Sequence, residues 1–323
     1  MIAMKRLNDT LFLEVLRSRA QGTRLETKAF FSSFLDGITT EPHHMIVPID
    51  DHMVHRGDAV FEAVKFQDGF VYALDRHLER LEVSMRNIAM PAMVSTDELK
   101  KIILETVRAS GLTTGLIRLF IARGPGGFTT NPYETIGTQV YCAITTLKSL
   151  AKEKYENGVT VGWSSVAVKE GMFARTKTCN YLPNVLMKKE ALDRGIDFVV
   201  SLDEKQFVAE GSTENFAIID GHGRLIVPKF DRILRGITAV RALELAEEIG
   251  IGGETKLFTK ADVENARGAV MLGTTLDILP IGKIEENDSS AHDFGGIAKE
   301  VRALQEAFQK DLTTGPLRTK VKD

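Results

Sequence analysis

Cysteine is scarce in this chain: Cys142 and Cys179 are the only two among 323 residues. Two thiols cannot build a disulfide framework, and both are expected to stay reduced in a cytoplasmic protein. Neither sign of charge dominates. Forty-one Lys and Arg against forty-four Asp and Glu leave a formal net charge of −3, which gives no field to draw nucleic acid or a membrane surface. No apolar run approaches the roughly eighteen residues that a spanning helix needs. Met1–Lys5 carries a basic residue, but the apolar stretch that follows is broken by Glu14 and Arg17. It reads as a short amphipathic helix, not a signal peptide. His52 and His55 make an H-x-x-H, with His43 and His44 nearby, yet no cysteine or carboxylate set completes a zinc shell. No metal is therefore expected. Internal repeats and low-complexity segments are also missing.

What is present is ordinary globular material, 43% hydrophobic and 26% charged, long enough for one large domain or two moderate ones. Residues 1–40 read as a peripheral N-terminal extension, a helix followed by a polar stretch. Phe61–Phe66, a Gln67-Asp68-Gly69 turn and Phe70–Leu74 predict a β-hairpin, because Asp-Gly supplies the positive φ that a tight turn needs. Asp75 can cap a helix whose apolar face is Leu78, Leu81, Met85 and Ile88. Ser95-Thr96-Asp97-Glu98 is a capping box, and Gly111 ends the helix that it opens. Strands follow at 116–122 and 139–145, and the Lys-rich stretch 148–157 marks a boundary. The second half alternates strands (158–163, 198–202, 206–209, 216–220, 269–272) with helices at about 183–195 and 237–250. The latter buries Val240, Leu243 and Leu245. Alternating elements of this kind predict α/β or α+β layers.

Two segments stand out chemically. One is Arg175-Thr176-Lys177-Thr178-Cys179-Asn180-Tyr181-Leu182-Pro183-Asn184, and the other is Val208-Ala209-Glu210-Gly211-Ser212-Thr213-Glu214-Asn215. Pyridoxal phosphate needs a lysine amine to hold it as a Schiff base and to carry protons. It needs an acid at its pyridine nitrogen, and N–H groups and hydroxyls around its phosphate, ideally at a helix start. A candidate for each job is present. Cys179 lies two residues from Lys177, but a small packed residue is the simpler reading.

In these segments the chain resembles the class IV, or fold type IV, pyridoxal-phosphate aminotransferases: branched-chain and D-amino-acid aminotransferases, with aminodeoxychorismate lyase as a relative of different chemistry. The resemblance runs from about Asp50 to Ile281. Asp50-Asp51-His52-Met53-Val54-His55-Arg56-Gly57 and Lys177–Leu186 are most similar to plant-type D-amino-acid aminotransferases. The family's fold is thereby implied: a small α/β N-terminal domain over about 41–152, and a larger pseudo-barrel domain over about 153–312. Lys177 matches the Schiff-base lysine and Glu210 the pyridinium partner. Arg80 matches the phosphate arginine, Gly236-Ile237-Thr238 the phosphate-binding helix start, and Gly273-Thr274 a second phosphate segment. Ser212, Thr213 and Tyr181 are expected to border the cofactor. Tyr181 stands one residue closer to the lysine than its counterpart in branched-chain enzymes.

Substrate residues are thinner. Arg118 falls where many branched-chain enzymes carry an arginine able to take a carboxylate, or it is an arginine at a domain or dimer contact. Phe61 replaces a tyrosine of a bacterial D-amino-acid aminotransferase, and Thr275 borders the same region. The Arg-x-His pair of that bacterial enzyme is missing from the loop Gly126-Gly127-Phe128-Thr129-Thr130. Gly124-Pro125-Gly126-Gly127 lacks the G-x-G-x-x-G spacing of a dinucleotide site. The resemblance implies a homodimeric aminotransferase that moves an amino group between an amino acid and a 2-oxo acid, the donor being a branched-chain L-amino acid or a D-amino acid such as D-alanine. Two rival readings are a lyase that eliminates pyruvate and a non-catalytic binding protein on the same fold.

Overall fold

The turn residues decide where this chain reverses. A computed structural model describes residues 6–91, 94–286 and 290–321; the opening segment Met1–Lys5 lies outside the described residues. α1 (Asp9–Arg19) starts where the Asn8 side chain accepts the Leu11 N–H. β1 (Thr27–Ser32) and β2 (Gly37–Thr39) follow, so residues 27–39 are sheet and not a polar stretch. The sequence misleads here because the strands are short and half-polar. α2 (His52–Arg56) is capped by the Asp51 carboxylate. β3 (Ala59–Gln67) turns into β4 (Phe70–Tyr72) through Asp68 and Gly69, at φ 52° and 77°. These two left-handed residues match the strand twist, as the Asp-Gly step foretold.

α3 (Leu74–Asn87) begins one residue before Asp75, which lies in its first turn. Asp75 is thus not its cap; the chain turns into the helix at Ala73, with φ 51°. α4 (Thr96–Ser110) has the full Ser95–Glu98 capping box and ends at Gly111, φ 68°. β5 (Gly115–Ala122) and β6 (Gln139–Thr145) complete the first sheet's main strands.

The stretch read as a boundary contains α5 (Lys152–Asn157), which leads into β7 (Val159–Trp163). α6 (Gly171–Ala174) and α7 (Leu182–Asp193) flank the Lys177 segment. β8 (Phe198–Leu202), β9 (Val208–Gly211), β10 (Asn215–Ile219) and β11 (Leu225–Val227) follow, then α8 (Ile237–Glu248), β12 (Gly253–Thr255) and α9 (Lys260–Glu264). β13 (Gly268–Gly273), β14 (Asp277–Glu285), β15 (Ala291–Asp293), α10 (Lys299–Thr314) and β16 (Arg318–Lys320) end the chain.

Two compact units result: residues up to Leu74 with Ala89–Leu147 and the chain from Thr319 on, and Asp75–Ile88 with Lys148–Arg318. The first holds a seven-stranded sheet in the order β16-β4-β3-β5-β6-β1-β2. Its central pairs are antiparallel, with Ala63 opposite Arg118 and Arg118 opposite Ala143. α4 packs its Leu99, Ile103 and Val107 face inward, all buried.

The second unit holds a nine-stranded sheet: eight strands follow the path β12-β11-β10-β13-β14-β7-β8-β9, and β15 pairs with β14 beside it. β9 also pairs with β10, through Asn215 and Glu210. This closes β10-β13-β14-β7-β8-β9 into a ring, the pseudo-barrel that the resemblance implies. Side chains fill such a small ring: Val161, Trp163, Val200, Val208, Phe216, Ile218, Met271 and Leu279 are all buried in one cluster. A fully buried phenylalanine such as Phe216, with no exposed surface, contributes about 1.5–3 kcal/mol relative to an exposed one. α8 departs from the expected face. It buries Ala239, Ala242, Leu245, Ala246 and Arg241, while Val240 and Leu243 are only half-buried. Alanine's small size hid that stripe from a reading of large apolar residues.

Candidate active site

Three turns at one end of the barrel bring polar groups together. The first is the β9–β10 turn. The Asn215 amide donates to Glu210 Oε2 at 3.2 Å and to the Leu234 carbonyl at 3.0 Å, and the Leu234 N–H donates to the same Glu210 oxygen at 3.2 Å. Glu210 Oε1 carries no hydrogen bond among the described residues. Burial pushes the Glu210 carboxyl up to about 7, against the Leu234 N–H, Lys169 and Lys177, which favour its ionised form; Glu214 adds to the rise. Glu214 itself accepts from the Ser212 hydroxyl, the Thr213 N–H and the Thr213 hydroxyl.

The second is the start of α8. Gly236 is its N-cap and has no side chain to cap the first turn. A Cβ there would lie 1.9 Å from Asn215 Oδ1, so any side chain would displace the Asn215 amide. The amides of Ile237 and Thr238 head the helix, where the dipole favours an anion. Arg80, on α3, donates to the Arg235 carbonyl at 3.2 Å, next to this helix start. The third is the β13–β14 turn, Gly273-Thr274-Thr275, closed by the Leu276 N–H on the Gly273 carbonyl. A Cβ at Gly273 would stand 3.6 Å from Glu214 Cγ, which sets this turn beside the first.

Lys177 lies between α6 and α7 and is only 8% exposed. Its N–H donates to Ser84 Oγ at 3.3 Å, and its Nζ lies 3.3 Å from the Tyr181 hydroxyl. Tyr181 is the N-cap of α7, so the helix start holds the phenol four residues from the lysine. Asn184, in the first turn of α7, donates to the Ser212 carbonyl and ties the lysine segment to the β9–β10 turn. Asn184 Oδ1 and Thr178 Oγ1 are buried with no hydrogen-bond partner among the described residues. Buried polar atoms left open in this way ask for a ligand or an ordered water. Cys179 is half-exposed.

The second unit therefore brings together Lys177, Tyr181, Glu210, Ser212 and Thr213, and likewise Arg80 with Gly236, Ile237 and Thr238, and Gly273 with Thr274 and Thr275 beside Glu214. Phe61 and Arg118 belong to the first unit. There Phe61 stacks on Phe120 at 5.8 Å, and Arg118 is exposed between two alanines. Asn215, Ser84, Asn184 and Lys169 were missed by sequence reasoning. Asn215 had a signal, since it follows the Glu-Gly-Ser-Thr-Glu run directly; the others act through contacts distant in the chain.

Comparison with known proteins gives the family. Residues 59–284 match the family described as Amino-transferase class IV. The chain belongs to the class IV aminotransferases. A D-amino-acid transaminase of Arabidopsis thaliana, named as chloroplastic, is 35% identical over 315 residues, 94% of this chain and 83% of the relative. A putative branched-chain-amino-acid aminotransferase of Methanocaldococcus jannaschii is 30% identical over 87% of this chain and 96% of its own length. Among solved structures, the Escherichia coli branched-chain amino acid aminotransferase superposes with a TM-score of 0.84 at 24% identity, covering 92% of this chain and all of that one. The 4-amino-4-deoxychorismate lyase of Pseudomonas aeruginosa shares the fold more distantly, with a TM-score of 0.75 at 22% identity over 88% of this chain and 99% of its own. The protein is an aminotransferase, and its cofactor is pyridoxal 5′-phosphate. The residues present fit that group: a buried lysine amine, a half-buried carboxylate with one open oxygen, and an uncapped helix start beside an arginine.

Proposed function

We propose that this class IV aminotransferase takes its amino group from a D-amino acid such as D-alanine or from a branched-chain L-amino acid, and passes it to a 2-oxo acid. The relatives' names support both donors, and the similarity to the Arabidopsis transaminase favours the first. Glu210, whose Oε2 is fixed by Asn215 and Leu234, would hold the ring nitrogen of the cofactor. The Ile237 and Thr238 amides, Arg80 and Thr274 would hold the phosphate, and Ser212 and Thr213 would border the ring. When bound, the cofactor supplies an electron sink for the substrate's α-carbon. Lys177 Nζ removes the proton from that carbon and returns it in the second step, with the Tyr181 hydroxyl at 3.3 Å steering the amine. Thr275, next to Thr274 in the same turn, borders the substrate. The protein works as a cytoplasmic homodimer, as the family resemblance suggests, with the first unit as its small domain and the second as its cofactor domain.

The observation that carries the reading is the buried Lys177 amine beside Tyr181, in one cluster with Glu210. Borohydride reduction of the cofactor-loaded protein, followed by mass spectrometry, is expected to place the adduct on Lys177. An adduct elsewhere, or none, overturns the assignment. Mixing the protein separately with D-alanine, L-leucine, L-glutamate and aminodeoxychorismate then names the donor by the spectral change of the cofactor. Pyruvate release from aminodeoxychorismate without that change would instead show a lyase.

A further inference from the structure

A second lysine reaches the same cluster. Lys169 lies half-buried on the loop between β7 and α6. Its Nζ stands 4.9 Å from the centroid of the Tyr181 ring, and Lys177 Nζ stands 5.7 Å from the same centroid. One aromatic ring is thus attended by two lysine side-chain nitrogens, one of which also meets its hydroxyl. Lys169 makes no hydrogen bond or ion pair among the described residues; its charge is answered by the Tyr181 ring and, at longer range, by Glu210. Burial pulls the Lys169 ammonium below its ordinary range, and the attraction of Glu210 opposes that pull.

The missing direct bond matters. A lysine bonded to Glu210 would occupy Oε1, the oxygen that Asn215 and Leu234 leave open. Positive charge that acts without touching the carboxylate favours its ionised form and leaves that oxygen available. A cation over an aromatic face is also attracted to it, by about 0.5–2 kcal/mol depending on solvation. The contact therefore fixes both the lysine and the ring that steers Lys177.

We propose that Lys169 is a positioning residue of the cofactor site: it seats the Tyr181 ring and supplies the charge that keeps Glu210 a carboxylate for a protonated ring nitrogen. This rests on the pyridoxal phosphate reading. The charged groups facing Glu210 are Lys169, Lys177 and Glu214, with the Leu234 N–H and the Asn215 amide as its neutral donors. Lys169 and Lys177 favour ionisation, Glu214 opposes it, and only Lys169 is free of the reaction itself.

The test is calorimetric titration of the cofactor-free full-length protein with pyridoxamine 5′-phosphate, which carries the same ring nitrogen but forms no bond to Lys177. Affinity is measured from pH 6 to 9 for wild type, Lys169→Met, Lys169→Gln and Lys169→Arg. The ligand's own titrations are common to all four proteins and cancel in the comparison. Lys169→Met and Lys169→Gln are expected to raise the pH midpoint of binding by about one unit and to weaken binding near neutrality about tenfold. Lys169→Arg is expected to keep the wild-type midpoint. Circular dichroism checks folding, and the Gln variant serves if the Met variant fails to fold. A Met or Gln midpoint equal to that of wild type overturns the proposal, as does an Arg midpoint shifted as far as the Met one. Failure of the wild type to bind at all overturns the cofactor reading instead.

Discussion

Asn215 and Glu210 face each other across the seam where β10 meets β9, with the Asn215 amide 3.2 Å from the Glu210 carboxylate. The pair that closes the barrel is thus also the pair that sets the acid of the site. Asn215→Ala removes the donor to both Glu210 and the Leu234 carbonyl. Each acceptor keeps a second donor, the Leu234 N–H on Glu210 and the Gly236 N–H on the Leu234 carbonyl, so the loss is that of two hydrogen bonds, about 0.5–1.5 kcal/mol each, read in a urea melt of the cofactor-free protein. Cofactor affinity should fall in the same variant, because the open Glu210 oxygen is no longer held in place.

Gly236 is the second point of no freedom. Its Cβ position lies 1.9 Å from Asn215 Oδ1, a separation no side chain tolerates. Gly236→Ala must push the Asn215 amide away from Glu210, or the start of α8 away from β10. Overpacking of this kind costs about 1–3 kcal/mol. Measured pyridoxamine 5′-phosphate affinity is expected to drop at least as steeply, since the displaced amides of Ile237 and Thr238 are the proposed phosphate donors.

Glu210 gives a pH dependence with a definite sign. Its carboxyl stands at about 7 in the fold, above the 4.5 of an exposed glutamate. The folded state therefore binds the proton more tightly than the unfolded chain does. The resulting stability is fully present below about 4.5 and is lost as pH rises through about 7. It amounts to at most about 3 kcal/mol. Thermal melts of cofactor-free wild type and Glu210→Gln between pH 4.5 and 8 measure it. The wild type should lose ground to the Gln variant across that window, and parallel curves would contradict the shift.

Lys177→Ala removes the amine held beside Tyr181. Loss of a positioned general base costs about 10²–10⁴-fold in rate, and the amino-transfer assay should fall by at least that much. Pyridoxamine 5′-phosphate binding should persist in the variant, because the Glu210 and α8 contacts remain.

Arg241 and Asp311 test the scaffold separately from the chemistry. Arg241 donates to both Asp311 oxygens, at 3.0 and 2.8 Å, and also to Glu244 and Glu248. This buried pair ties α8 to α10. Asp311→Ala leaves a buried guanidinium short of its main partner, at an expected cost of about 3–5 kcal/mol in denaturant unfolding. Activity per folded molecule should change little at low temperature.

Local chemistry was legible where neighbours in the chain make the interaction. The Asp68-Gly69 turn and the Ser95–Glu98 box formed as read because each is complete within a few residues. Where the partner lies far along the chain, the reading failed. Asp75 was displaced as a cap by the backbone turn at Ala73, and the buried face of α8 is alanine and arginine because of what α10 and the barrel place against it.

The sequence by itself supplied the proposed cofactor set: Lys177, Glu210, Arg80, Gly236-Ile237-Thr238 and Gly273-Thr274 stand out by residue type and order, because each contributes a chemical group that few other residues can supply. Only the tertiary structure decided how that set is held. Ring closure at Asn215 and Glu210, the lift of the Glu210 carboxyl to about 7 and the approach of Lys169 to Tyr181 all depend on burial and on distances between strands that the chain brings together late. Burial and long-range charge are properties of the folded interior, and no window of sequence contains them.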